Sequence, residues 1–413
     1  MEPKTVLKKY IHKGDQICFG RNVNKMPEFF GKASAKLLIN KTTNEEIGLL
    51  NKRLGGIRDT LDGEAWDVCI PTVIDTTKKF ALCAKKAPLM AVKIMPMSLK
   101  DYENPNDKKR RAWRELEILQ RTTKEYNKTN IIAFPILYGY SLCDSVKIND
   151  YLNKKIRDRI ERSDPVDKFG KQAIFLFSQL ADYDMEYWVK KVFIDVPDKY
   201  SLLMSVLFQI YFGLHAFHIL TDAVHFDLHL GNILVLSTNP GGYFHYQLDN
   251  VDYYVPNHGL IFKIWDFSRS IILNSDEPHL IKQKFVFFGK RNFSRKFDTI
   301  LPKIAENLLK KSHIDVLFSM DTYRFTKSLF ISIRIIQQTI SITSRQKTSN
   351  NNVQEIEDLL EDILFDASED ITKQLPKKKP SYHGTPDKII KEYFKEFKKK
   401  PIDTKILKVQ KLK

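Results

Sequence analysis

The sequence predicts an α+β fold in two lobes: a small β-rich N-terminal lobe with one long helix, then a larger helical C-terminal lobe, with insertions. Three observations predict it. Short apolar runs of strand-like composition, among them LMAVKIMPM at 89–97 and AIFLFSQL at 173–180, lie before residue 181. One long helical pattern, NDKKRRAWRELEILQRT at 106–122, stands among them. The third is MDTYRFTKSLFISIRIIQQTI at 320–340, long and apolar enough to be the central helix of a lobe. The expected division is an extension over 1–46, an N-terminal lobe over 47–180, a C-terminal lobe core over 181–340, and a linker, acidic helix and basic tail over 341–413.

The chain has 413 residues, 43% hydrophobic and 12% aromatic, enough to bury a sizeable core and too apolar for general disorder. Cys18, Cys69, Cys83 and Cys143 are scattered, with no C-x-x-C pair, which favours a reduced compartment over a disulfide framework or a structural metal site. The N-terminus MEPKTVLKKY lacks an apolar core, so no secretory signal is expected. Tyr200 to Leu220 carries no charged residue, yet it includes Gln209, His215 and His218 and reads as a buried helix rather than a membrane span. Net charge is +17, concentrated at the end, where 14 lysines stand against 4 acidic residues from Ile371 to Lys413. A solvated, partly disordered tail is the favoured reading. An arm for an acidic partner, nucleic acid or an acidic membrane surface is the alternative.

From Ile47 the pattern reads strand, glycine-containing turn, strand, with Gly55, Gly56 and Gly63 in or near the turn and Ala65 to Val73 as the second run. Glycines there let backbone N–H groups approach phosphate oxygens, although the spacing is not G-x-G-x-x-G and an ordinary hairpin fits as well. After a mixed stretch, Thr76 to Lys86, the run LMAVKIMPM carries Lys93 between apolar neighbours, where an ammonium must snorkel or meet an anion. The helix that follows has Asn106 or Asp107 as cap and offers Glu115 and Glu117 as partners for Lys93. Glu115 is preferred because Leu119 follows it one turn on. IIAFPILYGY reads as a strand pair, Lys147 to Lys168 as a charged helical insertion, and Ala173 to Leu180 as a buried strand leading to a crossing between lobes.

The chain is organised around AVHFDLHLGNILVL at 223–236. Phosphoryl transfer needs an acceptor for the attacking hydroxyl's proton and, nearby, oxygen ligands for a metal that neutralises phosphates. His225, Asp227 and Asn232 have the spacing H-x-D-x-x-x-x-N. Further on, a polar insertion (Ser237 to Gly259) precedes the strand-like IFKIWDFS, whose Asp266 ends a buried run where a second metal ligand is needed. Ile300 to Leu317 reads as an amphipathic helix, SRQKTSNNN as a linker, VQEIEDLLEDILFDASED as an acidic helix and PDKIIKEYFKEF as one more helix.

Over Ile47 to Ile340 the chain resembles the protein-kinase-like superfamily, through Gly63-Glu-Ala65, Ala91-Val-Lys93, Glu115, His225-Phe-Asp227 to Asn232, and Asp266-Phe-Ser268. It looks most like the divergent serine/threonine kinases of large DNA viruses, in its Lys, Asn and Ile richness, its insertions and D-T-Y-R-F. The resemblance implies a two-lobed protein-kinase-like fold, ATP and Mg²⁺ as cofactors, a protein substrate, and the host cytoplasm or virion as location. It implies that Lys93 contacts the α/β-phosphates, Glu115 orients it, Asp227 accepts the acceptor's proton, and Asn232 and Asp266 bind Mg²⁺. Ile57, Gly63, Ala65, Ala91, Met185 and Leu234 would line the nucleotide. The backbone of Gln179 to Ala181 would meet the adenine and Asp184 the ribose. Leu119, His225 and Phe267 would form an internal stack, with Asp321 anchoring the loop.

Three departures qualify the picture. Phe226 stands where many kinases have the arginine that pairs with a phosphorylated loop, so activity independent of such a phosphorylation is expected. Ser268 replaces a glycine. His229 stands where a lysine usually contributes charge, and D-L-H-x-G-N is similar to aminoglycoside and other small-molecule phosphotransferases. His229 is therefore a conditional catalytic residue. The leading reading is a serine/threonine protein kinase; the others are a small-molecule phosphotransferase and a catalytically weak scaffold.

Overall fold

A computed structural model describes residues 18–22, 57–60, 63–69, 71–75, 80–83, 89–97, 101, 104, 110–143, 172–179, 181–273, 278–292, 314–343, 351–374, 381–402, 404–407 and 410–412. The expected caps Asn106 and Asp107, the turn glycines Gly55 and Gly56, the insertion at 147–168, and most of the helix at 300–317 lie outside these residues. The chain divides into two compact units, 1–124 with 135–180, and 125–134 with 181–413.

Unit 1 is built on strands β1 (Cys18–Asn22), β2 (Ile57–Thr60), β3 (Gly63–Cys69), β6 (Leu89–Met97), β7 (Leu137–Cys143) and β8 (Gln172–Gln179), in the order β1-β7-β8-β6-β3-β2. Every neighbouring pair is antiparallel. A separate hairpin joins β4 (Pro71–Asp75) to β5 (Phe80–Cys83), so part of the mixed stretch at 76–86 is a strand. β1 lies inside the segment expected to be only an extension, and it pairs with β7 from Cys18↔Cys143 to Asn22↔Gly139. The long helix α1 (Arg111–Thr129), which belongs to this unit as far as Lys124, buries Ala112, Trp113, Leu116, Ile118 and Leu119. Its apolar residues recur every three or four positions, which gives one face to the core. Trp113 Nε1 donates to Asp101 O at 2.7 Å, and Thr123 Oγ1 accepts from Leu137 N at 2.9 Å.

IIAFPILYGY is not a strand pair: only its second half is strand. Pro135 has no N–H to give a ladder. Residues 131–134 are instead held by side chains and backbone of unit 2, where Ile264 N donates to Ala133 O at 2.8 Å. Gly213 makes room for this segment, since a Cβ there would stand 2.8 Å from Ala133 Cβ.

Unit 2 is organised on helix α3 (Lys199–Thr221), apolar around its whole circumference and buried along most of its length. By length and composition alone it could cross a membrane. Its surroundings here are protein: it is capped by Asp198, which accepts from Ser201 N at 3.0 Å, and packed on by later elements. Before it come β9 (Tyr183–Asp184) and α2 (Met185–Lys191). After it come β10 (Ala223–Val224), β11 (Ile233–Ser237), β12 (Tyr243–Leu248), β13 (Val251–Pro256), β14 (Leu260–Ile264) and β15 (Ile271–Ile272). The order β14-β11-β9 makes one small antiparallel sheet, and β10 pairs with β15. The segment expected as a polar insertion is the β12–β13 hairpin, whose β12 side chains alternate between buried and half-buried as a one-faced strand should. Helices α4 (Pro278–Asn292), α5 (Asp315–Thr343) and α6 (Asn351–Glu369) follow.

The basic end of the chain corrects the expectation of a loose tail. Helix α7 (Pro386–Tyr393) packs on α3, and β16 (Gln410–Leu412) adds to β12 in parallel. Ile389, Ile390, Phe394 and Phe397 are buried. Phe208 of α3 collects Tyr246, Tyr253, Phe394 and Phe397 at ring distances of 5.1, 5.2, 5.6 and 5.6 Å, so tail, hairpin and helix share one aromatic core. Gly384 lies so close to α6 that a Cβ would fall 2.2 Å from Ala367 Cα, while its N–H donates to buried Asp370 at 2.7 Å. Among the described lysines there, Lys388, Lys395, Lys398, Lys399, Lys400 and Lys405 are exposed while neighbouring apolar side chains fill the core.

Candidate active site

In unit 1, Lys93 sits in the middle of β6, opposite Ala65 of β3 and Leu176 of β8. Its Nζ donates to Glu115 Oε1 at 2.8 Å and Oε2 at 3.1 Å, and both side chains are fully buried. Glu117 pairs with Arg121 at 2.9 Å on a half-buried face. Residues two apart on a helix point to different sides, so the two glutamates have separate partners. Gly63 opens β3 opposite Thr60, Ile57 pairs with Trp66, and Ala91 lies opposite Asp67 and Ser178.

In unit 2, one stripe of α5 grips the loop at 225–230. Asp321 accepts from His225 N at 2.6 Å, from Phe226 N at 2.8 Å and from His218 Nε2 at 3.1 Å. Arg324, one turn on, donates to Phe226 O at 3.0 Å and to Asp227 Oδ1. Ser328 Oγ accepts from Leu230 N at 3.4 Å. Between these contacts Phe226 holds a left-handed φ of 59°, a conformation that costs a side-chain-bearing residue about 1–3 kcal/mol and persists where its surroundings impose it. His225 is buried, with Nδ1 accepting from Asp227 N at 3.3 Å and Nε2 donating to Trp265 O at 3.0 Å.

Asn232 donates Nδ2 to Asp227 O at 2.8 Å, and its own carbonyl accepts from Trp265 N at 2.9 Å. Because Ile233 pairs with Ile264, Asn232 and Asp266 come to the same end of the β11–β14 ladder. Asp266 is buried with φ 62°, its Oδ1 accepting from Ser268 N at 3.4 Å. Asp227 faces two guanidiniums, Arg324 at Oδ1 and Arg269 Nε at 3.5 Å from Oδ2. Phe267 stacks on Phe217 at 5.1 Å and approaches His225 at 5.6 Å; Leu119 of the expected stack belongs to unit 1.

His229 is mainly neutral. Burial pushes its pKa down, with Arg324 adding to that and Asp227 opposing it. Its Nδ1 accepts from Gly231 N at 3.1 Å, a bond that needs an unprotonated nitrogen. Met185 is buried at the start of α2, and Leu234 in β11 pairs with Asp184. Two groups in the expected nucleotide region are engaged within the protein. Asp184 Oδ1 caps α2 by accepting from Tyr187 N at 2.7 Å, and the Gln179 N–H is taken by Ile136 O at 2.9 Å. The cap occupies one of the two Asp184 carboxylate oxygens, and the Gln179 N–H is committed within the sheet region.

Oxygen donors from an Asn and an Asp suit Mg²⁺, which takes one or two protein ligands and fills its octahedron with phosphate and water. Among the described residues no cluster of three His, Cys, Asp or Glu side chains forms a fuller cage. The sequence reading missed Arg324, Arg269 and Lys263. Arg324 was detectable as the residue one helical turn after Asp321. Lys263 was detectable as a lysine inside IFKIW, the same signal that singled out Lys93. Its Nζ is buried and donates to Ile132 O at 2.7 Å and Phe134 O at 2.9 Å, and burial pushes its pKa down to about 7.

No family model matches the chain. A candidate serine/threonine-protein kinase of Invertebrate iridescent virus 6 is 35% identical over 91 residues, covering 22% of this chain and 16% of the relative. A second candidate serine/threonine-protein kinase, of Acanthamoeba polyphaga mimivirus, is 26% identical over 279 residues, covering 56% of this chain and 66% of the relative. An uncharacterised protein of the same mimivirus is 21% identical over 305 residues, 56% of this chain and 39% of its own length. The chain thus spans less than two thirds of each of these viral relatives. Among solved structures, WaaP in complex with acyl carrier protein is 11% identical and covers 71% of this chain and 91% of its own, with a TM-score of 0.29. In sequence the chain is thus similar to kinase-named proteins of large DNA viruses, and its described elements are of α+β type.

Proposed function

Starting from that likeness, we propose that the chain is an ATP- and Mg²⁺-dependent protein kinase that transfers the γ-phosphate to a serine or threonine hydroxyl. The observation that carries the proposal is the Lys93–Glu115 pair, fully buried at 2.8 Å. A buried ion pair stabilises a fold no better than apolar side chains of similar volume. Its presence is best explained by a ligand: a fixed ammonium for a phosphate anion.

In this reading Lys93 binds the α/β-phosphates and Glu115 keeps its ammonium pointed. Asp227 orients the acceptor hydroxyl and takes its proton as the phosphoryl group moves. Asn232 and Asp266 are the protein's metal ligands, and the metal's contribution is to neutralise phosphate charge. Ile57, Gly63, Ala65, Ala91, Met185 and Leu234 border the nucleotide. His229, neutral and bonded to Gly231, shapes the loop rather than supplying charge.

His229 and Gly231, in D-L-H-x-G-N, favour a second reading, transfer to a small-molecule hydroxyl. γ-labelled ATP with Mg²⁺, offered a basic protein mixture beside small alcohols and aminoglycosides, separates the two. Label on protein supports the proposal; label on small molecules alone replaces it with the second reading.

A further inference from the structure

We infer that Arg324 is a positioning residue for the catalytic carboxylate: helix α5, rather than the loop itself, supplies the cation that holds Asp227. The inference rests on the proposed phosphoryl transfer at Asp227 and adds a residue to it.

Arg324 spans two consecutive residues of the loop. Its Nη1 donates to Phe226 O at 3.0 Å and its Nη2 to Asp227 Oδ1. A planar guanidinium offers donors in a fixed fork, so two bonds set the position of the backbone carbonyl and the carboxylate together. Asp321 holds the N–H of the same Phe226 from one turn earlier on the helix. Phe226, with its left-handed φ of 59°, is therefore pinned on both sides by side chains three positions apart on α5. The consequence falls on the next residue. With its backbone fixed by this pair and one carboxylate oxygen taken by Arg324, Asp227 keeps Oδ2 for an acceptor, where the more exposed Arg269 stands off at 3.5 Å.

The loop has no cation of its own to do this. His229, two residues after Asp227, spends Nδ1 as an acceptor from Gly231 N. Arg324 is one-quarter exposed and Asp227 nearly buried, so the pair is largely shielded from solvent.

Three variants of the full chain test this. Arg324→Met keeps most of the side chain's bulk without the guanidinium, Arg324→Lys keeps the charge without the fork, and Arg324→Ala leaves space for added guanidinium ion. Expected are a kcat lower by about 100-fold or more in Arg324→Met with the KM for ATP unchanged, a partial loss in Arg324→Lys, and recovery of Arg324→Ala, but not of Arg324→Met, by guanidinium. Wild-type kcat in Arg324→Met overturns the inference. So does a loss in all three variants that tracks the melting temperature and ignores added guanidinium, because Arg324 then serves the fold alone. Wild-type transfer abolished by Asp227→Asn is measured alongside. If wild type transfers nothing, the kinase reading fails and takes this inference with it; if that control behaves and Arg324→Met stays active, only the inference fails.

Discussion

Asp321 accepts the backbone N–H of Phe226 at 2.8 Å across a sequence separation of 95 residues. The same carboxylate accepts from His225 N and from His218 Nε2. One buried acidic side chain thus ties the end of α3, the loop and α5 together. Burial pushes the His218 pKa down, so that histidine meets Asp321 mainly as a neutral N–H donor, stacked 4.1 Å from Phe318.

Asp321→Asn exchanges one acceptor oxygen for an NH₂ and leaves at least one buried N–H facing a donor. The expected cost is about 2–3 kcal/mol, read as a lower urea midpoint at unchanged slope, together with a fall in kcat. An unchanged midpoint contradicts the anchoring role.

Lys93→Met replaces the buried ammonium with an apolar side chain and removes the cation that faces Glu115 in the core. ATP-dependent transfer is expected to fall by about 100-fold or more. The double variant Lys93→Met with Glu115→Leu removes both charges. It is expected to regain stability over the single variant without regaining activity, because apolar replacement of a buried pair is tolerated by folds. Activity in the double variant contradicts a ligand role for the ammonium.

Lys263 gives a pH signature. Its folded pKa is pushed down to about 7 by burial, from an unfolded value of 10.5. Between those values the unfolded chain holds a proton that the folded chain has released, so this lysine's contribution to stability rises with pH above about 7 and is lost as pH falls through it. The difference in urea midpoint between wild type and Lys263→Met should therefore shift in favour of wild type from about pH 6.5 to about pH 9. A constant difference contradicts it.

Ending the chain after residue 380 removes Ile389, Ile390, Phe394 and Phe397, each of which is buried. Each such side chain stabilises by roughly 1.5–3 kcal/mol when buried, against a net domain stability of about 5–15 kcal/mol. The truncated protein is expected to melt at a clearly lower temperature and to expose the Phe208 cluster to a hydrophobic dye. A truncation that leaves the melting temperature unchanged contradicts the tail's structural role.

The sequence showed the order of the chemical residues because each sits in a local pattern: a lysine in an apolar strand, glutamates at helical spacing, H-x-D-x-x-x-x-N, and an aspartate closing a buried run. Choosing Glu115 over Glu117 depended on helix geometry alone, and Glu115 is the one beside Lys93. What was not legible depends on distant contacts. The β12–β13 hairpin looked like a polar insertion because its exposed face carries half of its residues. The tail's helix is legible in PDKIIKEYFKEF, but its packing on α3 is not, because that contact joins segments far apart in sequence. The Gln179 N–H is taken by Ile136, a partner distant in sequence that no local pattern announces. Arg324 depended on the loop folding under α5.

The proposed role of Asp227 is that of the acceptor-side carboxylate in phosphoryl transfer. The most direct measurement is the rate of γ-label transfer from ATP to protein by wild type and by Asp227→Asn, with ATP affinity measured on both. The account predicts transfer by wild type, a rate about 100-fold or more lower in Asp227→Asn, and equal ATP affinity. Equal transfer by the two proteins, or no transfer by wild type to any acceptor, contradicts it.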